Sequence, residues 1–335
     1  MWQRLAGSGV FMMRAQQARG NHKEPGMEKG HASKSVMFML FISAVAAMLM
    51  GTAGLRAAPP VEQGAAEAEG DKPSIFVCGD STAKNNNNDR QGRKMAGWGT
   101  PIADFFDPAK VTVKNVGHAG QSSLTYYNGD WPAVLPQIKK GDYVLLVFGI
   151  NDGTTLNGTG PETRPGRGAA AAVQHTYGWY MAKMATDARE KGARVYLLTV
   201  TTRNIWTNPK AKFNDATPVG TLPPDYDPKE DKIERGTGGG KYTQWTKDVG
   251  ANLHLPVFDL TNYCADLYEK MGREQVNQMY SDHNHTFPPG AEVVARSIVA
   301  GLKGFKDSPF VGLLSEKGKQ VEAADAKYLA ENEGK

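Results

Sequence analysis

The sequence is poor in cysteine. Two among 335 residues, Cys78 and Cys264, are too few for a disulfide framework. No Cys/His grouping has the spacing of a structural zinc site, which removes a metal-clamped fold as well. Surplus charge is missing too. With 39 Lys+Arg against 35 Asp+Glu the formal net charge is +4, which excludes a strongly basic nucleic-acid binder. What the chain does carry is apolar mass: 40% hydrophobic residues, with 12 Phe, 12 Tyr and 6 Trp, exclude a disordered polymer.

The charge that exists is unevenly placed. Residues 1–35 hold Arg4, Arg14, Arg19, Lys23, Lys29 and Lys34 without apolar periodicity, and 36–50 then read VMFMLFISAVAAMLM with no charge before the small-residue run GTAGLRAAPP. This order of basic, apolar and small residues predicts a secretory leader over 1–57, cut near Ala53 or Ala57. The alternative is an uncut membrane anchor, since the apolar run approaches the length needed to span a bilayer. Removing 1–57 takes away seven basic and two acidic residues, leaving the rest near neutrality. Neither nucleic acid nor, once the leader is cut, a membrane is expected as a partner. Residues 58–71, rich in Pro, Ala and Glu, read as a linker, and 307–335, where charges alternate with Ala, as a charged C-terminal tail. That leaves 72–306, a length that suits one domain.

Inside it, five short apolar or β-branched runs bounded by Gly, Asp or Pro predict buried strands at 75–78, 111–116, 143–148, 194–200 and 257–260. Helical periods lie between and after them. Over 169–191, Tyr177, Met181, Met184 and Ala188 share one face and Gly192 stands where a C-terminal cap belongs. Further helices are expected over 240–249 and after Pro289, where Val293, Val294, Ile298 and Leu302 fall together. Alternating strands and helices imply a parallel sheet covered on both faces, with the functional crevice beyond the carboxyl ends of the strands.

The residues just past those ends are therefore the ones to inspect. The first strand runs into Gly79-Asp80-Ser81-Thr82-Ala83, which lacks the G-x-S-x-G elbow of α/β-hydrolases but places a serine hydroxyl at the crevice. The second leads to His118-Ala119-Gly120-Gln121-Ser122-Ser123, and the third to Gly149-Ile150-Asn151-Asp152. Gly120 offers a backbone N–H and Asn151 an amide to an oxyanion. Each motif alone is also an ordinary turn. Before the last helix stands Asp282-His283-Asn284-His285-Thr286, where Asp282 and His285, three apart, have the types needed for a base and its orienting carboxylate. Asp282, His283 and His285 as zinc ligands form the competing reading of this block.

Taken together and in order, serine after the first strand, glycine after the second, asparagine after the third and Asp-x-x-His before the last helix resemble the SGNH, or GDSL-type, hydrolase superfamily over 73–302. The resemblance implies a flavodoxin-like α/β/α sandwich with a five-stranded parallel sheet and serine esterase chemistry without metal or organic cofactor. It implies Ser81 as nucleophile and first oxyanion donor, Gly120 and Asn151 as second and third donors, His285 as general base and Asp282 as its partner. The GDSTA block, Gly97-Trp98-Gly99, the stretch through Ser122-Ser123, and DHNHT followed by Pro289-Gly290-Ala291 are similar to rhamnogalacturonan acetylesterases. The chain departs from them at Gln121, where Arg is common, and Ile150, where His is common. This implies a secreted or periplasmic, monomeric enzyme acting on acetylated polysaccharide or oligosaccharide. Other acyl-ester hydrolases of the fold, and a non-catalytic glycan-binding module, remain the competing classes.

Other residues carry weaker readings. Cys78 and Cys264 are either one disulfide or two buried thiols. Trp98 and Trp206 are placed at the site rim, Asn85–Asn88 form a polar loop beside the serine, and the Pro-rich interval 207–240 is a lid or an excursion.

Overall fold

The computed structural model describes residues 72–166, 173–211 and 222–332. The leader and linker readings for 1–71 lie outside them. Six strands form the central sheet: β1 (Ser74–Gly79), β2 (Thr112–Asn115), β3 (Tyr143–Val147), β4 (Arg194–Leu198), β5 (Val257–Phe258) and β6 (Leu329–Ala330). Their order is β6-β5-β4-β3-β1-β2. The first five run parallel, as in the registers Val77↔Asn115, Val77↔Leu145, Leu145↔Tyr196 and Leu198↔Phe258.

Period-two alternation divides β1 between two cores. Ile75 and Val77 face one side of the sheet, and Phe76 and Cys78 the other, all fully buried. The Phe76 side is covered by α1 (Ser123–Gly129), α2 (Tyr177–Glu190) and α3 (Lys241–Leu253), through Tyr126, Met181, Met184 and Val249. The Ile75 side is covered by α4 (Leu260–Met271), α5 (Arg273–Met279) and α6 (Pro288–Gly304), through Tyr268, Val276, Ile298 and Leu302. β1, β3, β4 and β5, largely buried on both faces, read as continuous apolar runs in the sequence, whereas β2, at the sheet edge, is only partly buried.

Three expectations need correction. Of the helix expected over 169–191, residues 169–172 lie outside the described residues, and among the described ones it starts at Tyr177, where the Thr176 hydroxyl accepts the Trp179 N–H at 3.1 Å and caps the first turn. Its other end matches, with Gly192 at φ +83° just past the last turn. The sheet has six strands rather than five, because the segment read as a charged tail from 307 onward folds onto the domain. β6 pairs antiparallel with β5, Asp259 N donates to Tyr328 O at 2.8 Å, and Phe310, Leu314, Val321, Ala324 and Tyr328 enter the core. From Ser315 onward those apolar residues are few among charged and small neighbours, so charge dominated the reading of the segment. The third correction concerns tryptophan: Trp98 is 1% exposed and Trp206 5%, so both are core residues rather than rim residues.

Of the 207–240 interval, the described residues form a short antiparallel ribbon of Trp206–Thr207 with Lys232–Ile233 and a turn at Pro228–Glu230. Both cysteines are buried and unpaired, and burial pushes each thiol up to about 12. No helix among the described residues is long and apolar enough to cross a membrane.

Candidate active site

Ser81 lies two residues past the carboxyl end of β1, in a turn closed by Ala83 N and Lys84 N donating to Asp80 O at 3.1 and 3.0 Å. Asp80 is buried, and its Oδ1 accepts both the N–H and the hydroxyl of Thr82 at 2.8 Å. The second wall of the turn is Gly97-Trp98-Gly99, where Trp98 N donates to Thr82 O and Gly99 N to Ala83 O, each at 2.9 Å. A Cβ on Gly97 would stand 2.4 Å from the Ala83 carbonyl, and one on Gly99 2.5 Å from the Asn115 amide nitrogen. Glycine is required at both because two backbones meet there without room for a methyl group.

The same segment holds the histidine loop. Ala96 N donates to Thr286 O at 2.9 Å and the Thr286 hydroxyl donates to Ala96 O at 2.7 Å. Tyr280 and Thr286 form a bridge, and Ser281 N donates to His285 O at 2.8 Å, so residues 281–285 form a small loop closed at its neck. Within it, Asp282 Oδ1 accepts the N–H groups of Asn284 and His285, both at 2.7 Å. Asp282 Oδ2 lies 2.7 Å from His285 Nδ1, and His285 Nε2 lies 2.9 Å from Ser81 Oγ. Residues 204 positions apart in sequence thus meet in one hydrogen-bonded line.

The protonation of that line follows from its partners. Burial pushes the Asp282 carboxyl up, but the His285 ring and the two loop N–H groups outweigh it and hold the group at about 2. An ionised Asp282 only accepts, so His285 Nδ1 carries a hydrogen and Nε2 is left to accept from the Ser81 hydroxyl. The bond to Asp282 also raises the His285 pKa above its ordinary value, against partial burial, and the Asp80 charge adds to it.

Gly120 has φ +79°, an exposed surface and nothing within 4 Å of where a Cβ would stand. Its loop is tied to the end of β1 by His118 N donating to Gly79 O at 2.9 Å. Asn151 follows β3, and its Nδ2 donates one hydrogen to Gln121 O at 3.1 Å, leaving the second for another acceptor. The structure therefore places Ser81, His285 and Asp282 in one line and joins Asn151 to the residue after Gly120. Such an arrangement can activate a hydroxyl and stabilise a developing oxyanion.

Residues 77–293 match the GDSL-like Lipase/Acylhydrolase family. The chain belongs to that family. It is 28% identical to a rhamnogalacturonan acetylesterase of Emericella nidulans over 68% of this chain and 84% of that protein. It is 26% identical to the rhamnogalacturonan acetylesterase RhgT of Bacillus subtilis over 73% and 96%. The crystal structure of YxiM from Bacillus subtilis shares the fold with a TM-score of 0.50 at 24% identity, over 69% of this chain and 56% of that one.

Around this GDSL-family site lie groups whose roles the sequence did not single out. Asp152, next to Asn151, is 1% exposed, and its Oδ1 accepts the N–H and hydroxyl of Ser123 at 2.9 and 2.5 Å. Burial, partly offset by the two Ser123 bonds and reinforced by the Asp80 charge, pushes its carboxyl up to about 7. Burial likewise raises Asp80, against its bonds from Thr82. An acidic residue directly beside a site residue, Asp80 before Ser81 and Asp152 after Asn151, was the signal available for both. Gln121 holds Asn151 through its backbone carbonyl, so the departure at this position leaves that contact intact. Ile150 packs against the α1–α3 core. No cluster of three His, Cys, Asp or Glu suited to a metal occurs among the described residues, Asp282 and His285 being engaged with each other instead. A cavity of about 720 Å³ is lined by Arg194 at the start of β4, Leu255 and Phe305, and includes none of the site residues.

Proposed function

We propose that this protein is a secreted serine esterase that removes O-acetyl groups from a plant cell-wall polysaccharide, acetylated rhamnogalacturonan. The observation that carries the reading is the Ser81–His285–Asp282 line, with contacts of 2.9 and 2.7 Å. Ser81 Oγ attacks the ester carbonyl as its proton passes to His285 Nε2. The oxyanion lies against the N–H groups of Ser81 and Gly120 and the Asn151 amide. Collapse of this intermediate breaks the bond to the sugar oxygen, which leaves with the proton from His285. Water then attacks the acetyl-serine by the same route, releasing acetate and restoring the hydroxyl.

The polysaccharide substrate is supported by the two rhamnogalacturonan acetylesterases above, each matched over more than four-fifths of its length. The cavity beside the site is walled by amides and charges rather than long apolar side chains, which favours a sugar over a lipid chain. Acetate release from acetylated rhamnogalacturonan, acetylated xylan and an aryl acetate tests the reading. Release from the first, abolished by Ser81→Ala, is expected. Release from the aryl acetate alone would keep the chemistry and discard the polysaccharide.

A further inference from the structure

We infer that the cavity between the Ser81 turn and the Gly120 loop is a subsite for a negatively charged sugar, a uronic acid of the substrate chain whose carboxylate pairs with Lys84. The inference rests on the esterase reading and names the chemistry that selects its substrate. The cavity measures about 320 Å³, enough for one pyranose ring. One wall is Lys84–Asn87, the other Val116–Ala119, with Asp130 beside it. Both walls continue the site: Lys84 N is bonded into the nucleophile turn, and Ala119 directly precedes Gly120.

The lining is chemically one-sided. It contains no aromatic platform, and its apolar side chains are only Val116 and Ala119. Recognition there must come from hydrogen bonds and charge. Asp130, the single acid, is engaged by His118, whose Nδ1 lies 2.8 Å from its Oδ1. This holds the imidazole in place and leaves its other nitrogen for a ligand hydroxyl. The Lys84 ammonium is exposed and has no ion-pair or hydrogen-bond partner among the described residues. Asn86 is exposed as well, whereas Asn85 is buried and its Oδ1 already accepts Asn87 N at 3.0 Å.

The segment that supplies the Lys84 wall is rich in positive charge. From 84 to 94 the chain carries Lys84, Arg90, Arg93 and Lys94 against Asp89 alone. Asp89 is spent on Arg93, whose Nε lies 2.7 Å from its Oδ2. The Arg93 guanidinium also stacks over Phe287 at 4.4 Å, fastening this loop to the histidine loop. A neutral xylan offers nothing to answer the lysine, whereas a free uronate does.

Calorimetry tests this with three ligands: a deacetylated rhamnogalacturonan oligosaccharide, its carboxyl methyl ester and a xylo-oligosaccharide. The whole protein and its Lys84→Gln variant are compared. The free acid is expected to bind the unmodified protein about five-fold more tightly than its methyl ester at low salt, a modest factor because the lysine is exposed. That advantage should vanish in Lys84→Gln and shrink as salt is added. Equal or undetectable binding of acid and ester, or an acid preference that survives Lys84→Gln, overturns the subsite. Acetate release from the acetylated oligosaccharide separates the two readings. Acid-selective binding without release would sink the esterase assignment alone; release without acid preference would sink the subsite alone.

Discussion

Replacing Asp282 by Asn probes the one residue whose two oxygens do different work. Oδ1 accepts two loop N–H groups at 2.7 Å and Oδ2 faces His285 Nδ1 at 2.7 Å. In the variant only one atom can accept, and the two backbone N–H groups claim it, so the new NH₂ is turned toward the imidazole. His285 must then accept at Nδ1 and carry its hydrogen on Nε2, where Ser81 needs an acceptor. The loop stays closed while the base holds the wrong tautomer. The expected loss in kcat is about 10⁴-fold, the size known for the same change in a serine protease triad, with KM little altered. The pH profile supplies a second readout. In the native protein His285 titrates above its usual 6.5, chiefly because of its bond to Asp282, and activity needs the neutral ring. The acid limb of kcat/KM therefore lies above 6.5 in the native enzyme and moves down in Asp282→Asn. Steady-state kinetics between pH 5 and 9 on an aryl acetate measure both quantities. A variant within about ten-fold of native kcat, with an unmoved acid limb, would refute the tautomer argument.

Three other outcomes are expected. Asn151→Ala removes an amide donor and should lower kcat by about 10²–10³ with little change in KM; an unchanged kcat would exclude Asn151 from the oxyanion site. Asp152 holds its proton to about 7 when folded but to only about 3.8 when unfolded, so the folded state binds the extra proton between those values. Stability should therefore fall as pH rises from about 4 to about 7, by roughly 2–4 kcal/mol, and Asp152→Asn should flatten that slope in denaturant titrations at several pH values. Gly97→Ala would press a methyl against the Ala83 carbonyl at 2.4 Å. It should cost about 1–3 kcal/mol in chemical denaturation and lower activity, because that carbonyl belongs to the Ser81 turn.

Much of the candidate site was legible because most of its residues follow strand ends. Apolar runs with turn residues after them mark both the strand and the crevice position, so Ser81, Gly120 and Asn151 could be read directly, and Asp282 and His285 share one short loop. What escaped was everything whose role depends on burial or on contacts distant in sequence. Residues 315–332 are dense in Lys, Glu and Asp, which hid that Val321, Ala324 and Tyr328 reach the core beside Phe310 and Leu314. Trp98 reads as a rim aromatic until the Gly97 and Gly99 contacts bring its backbone under the Ser81 turn. Asp152 reads as a turn former, and only its burial beside Ser123 and near Asp80 makes it a titrating group.

The measurement closest to the central claim is capture of the covalent intermediate. Rapid acid quench of the protein with an aryl acetate, followed by peptide mass spectrometry, should find an acetyl group on Ser81 and a burst of the phenol matching the enzyme concentration. Ser81→Ala should show neither. An acetyl group on another residue, or steady turnover that survives Ser81→Ala, would contradict the account.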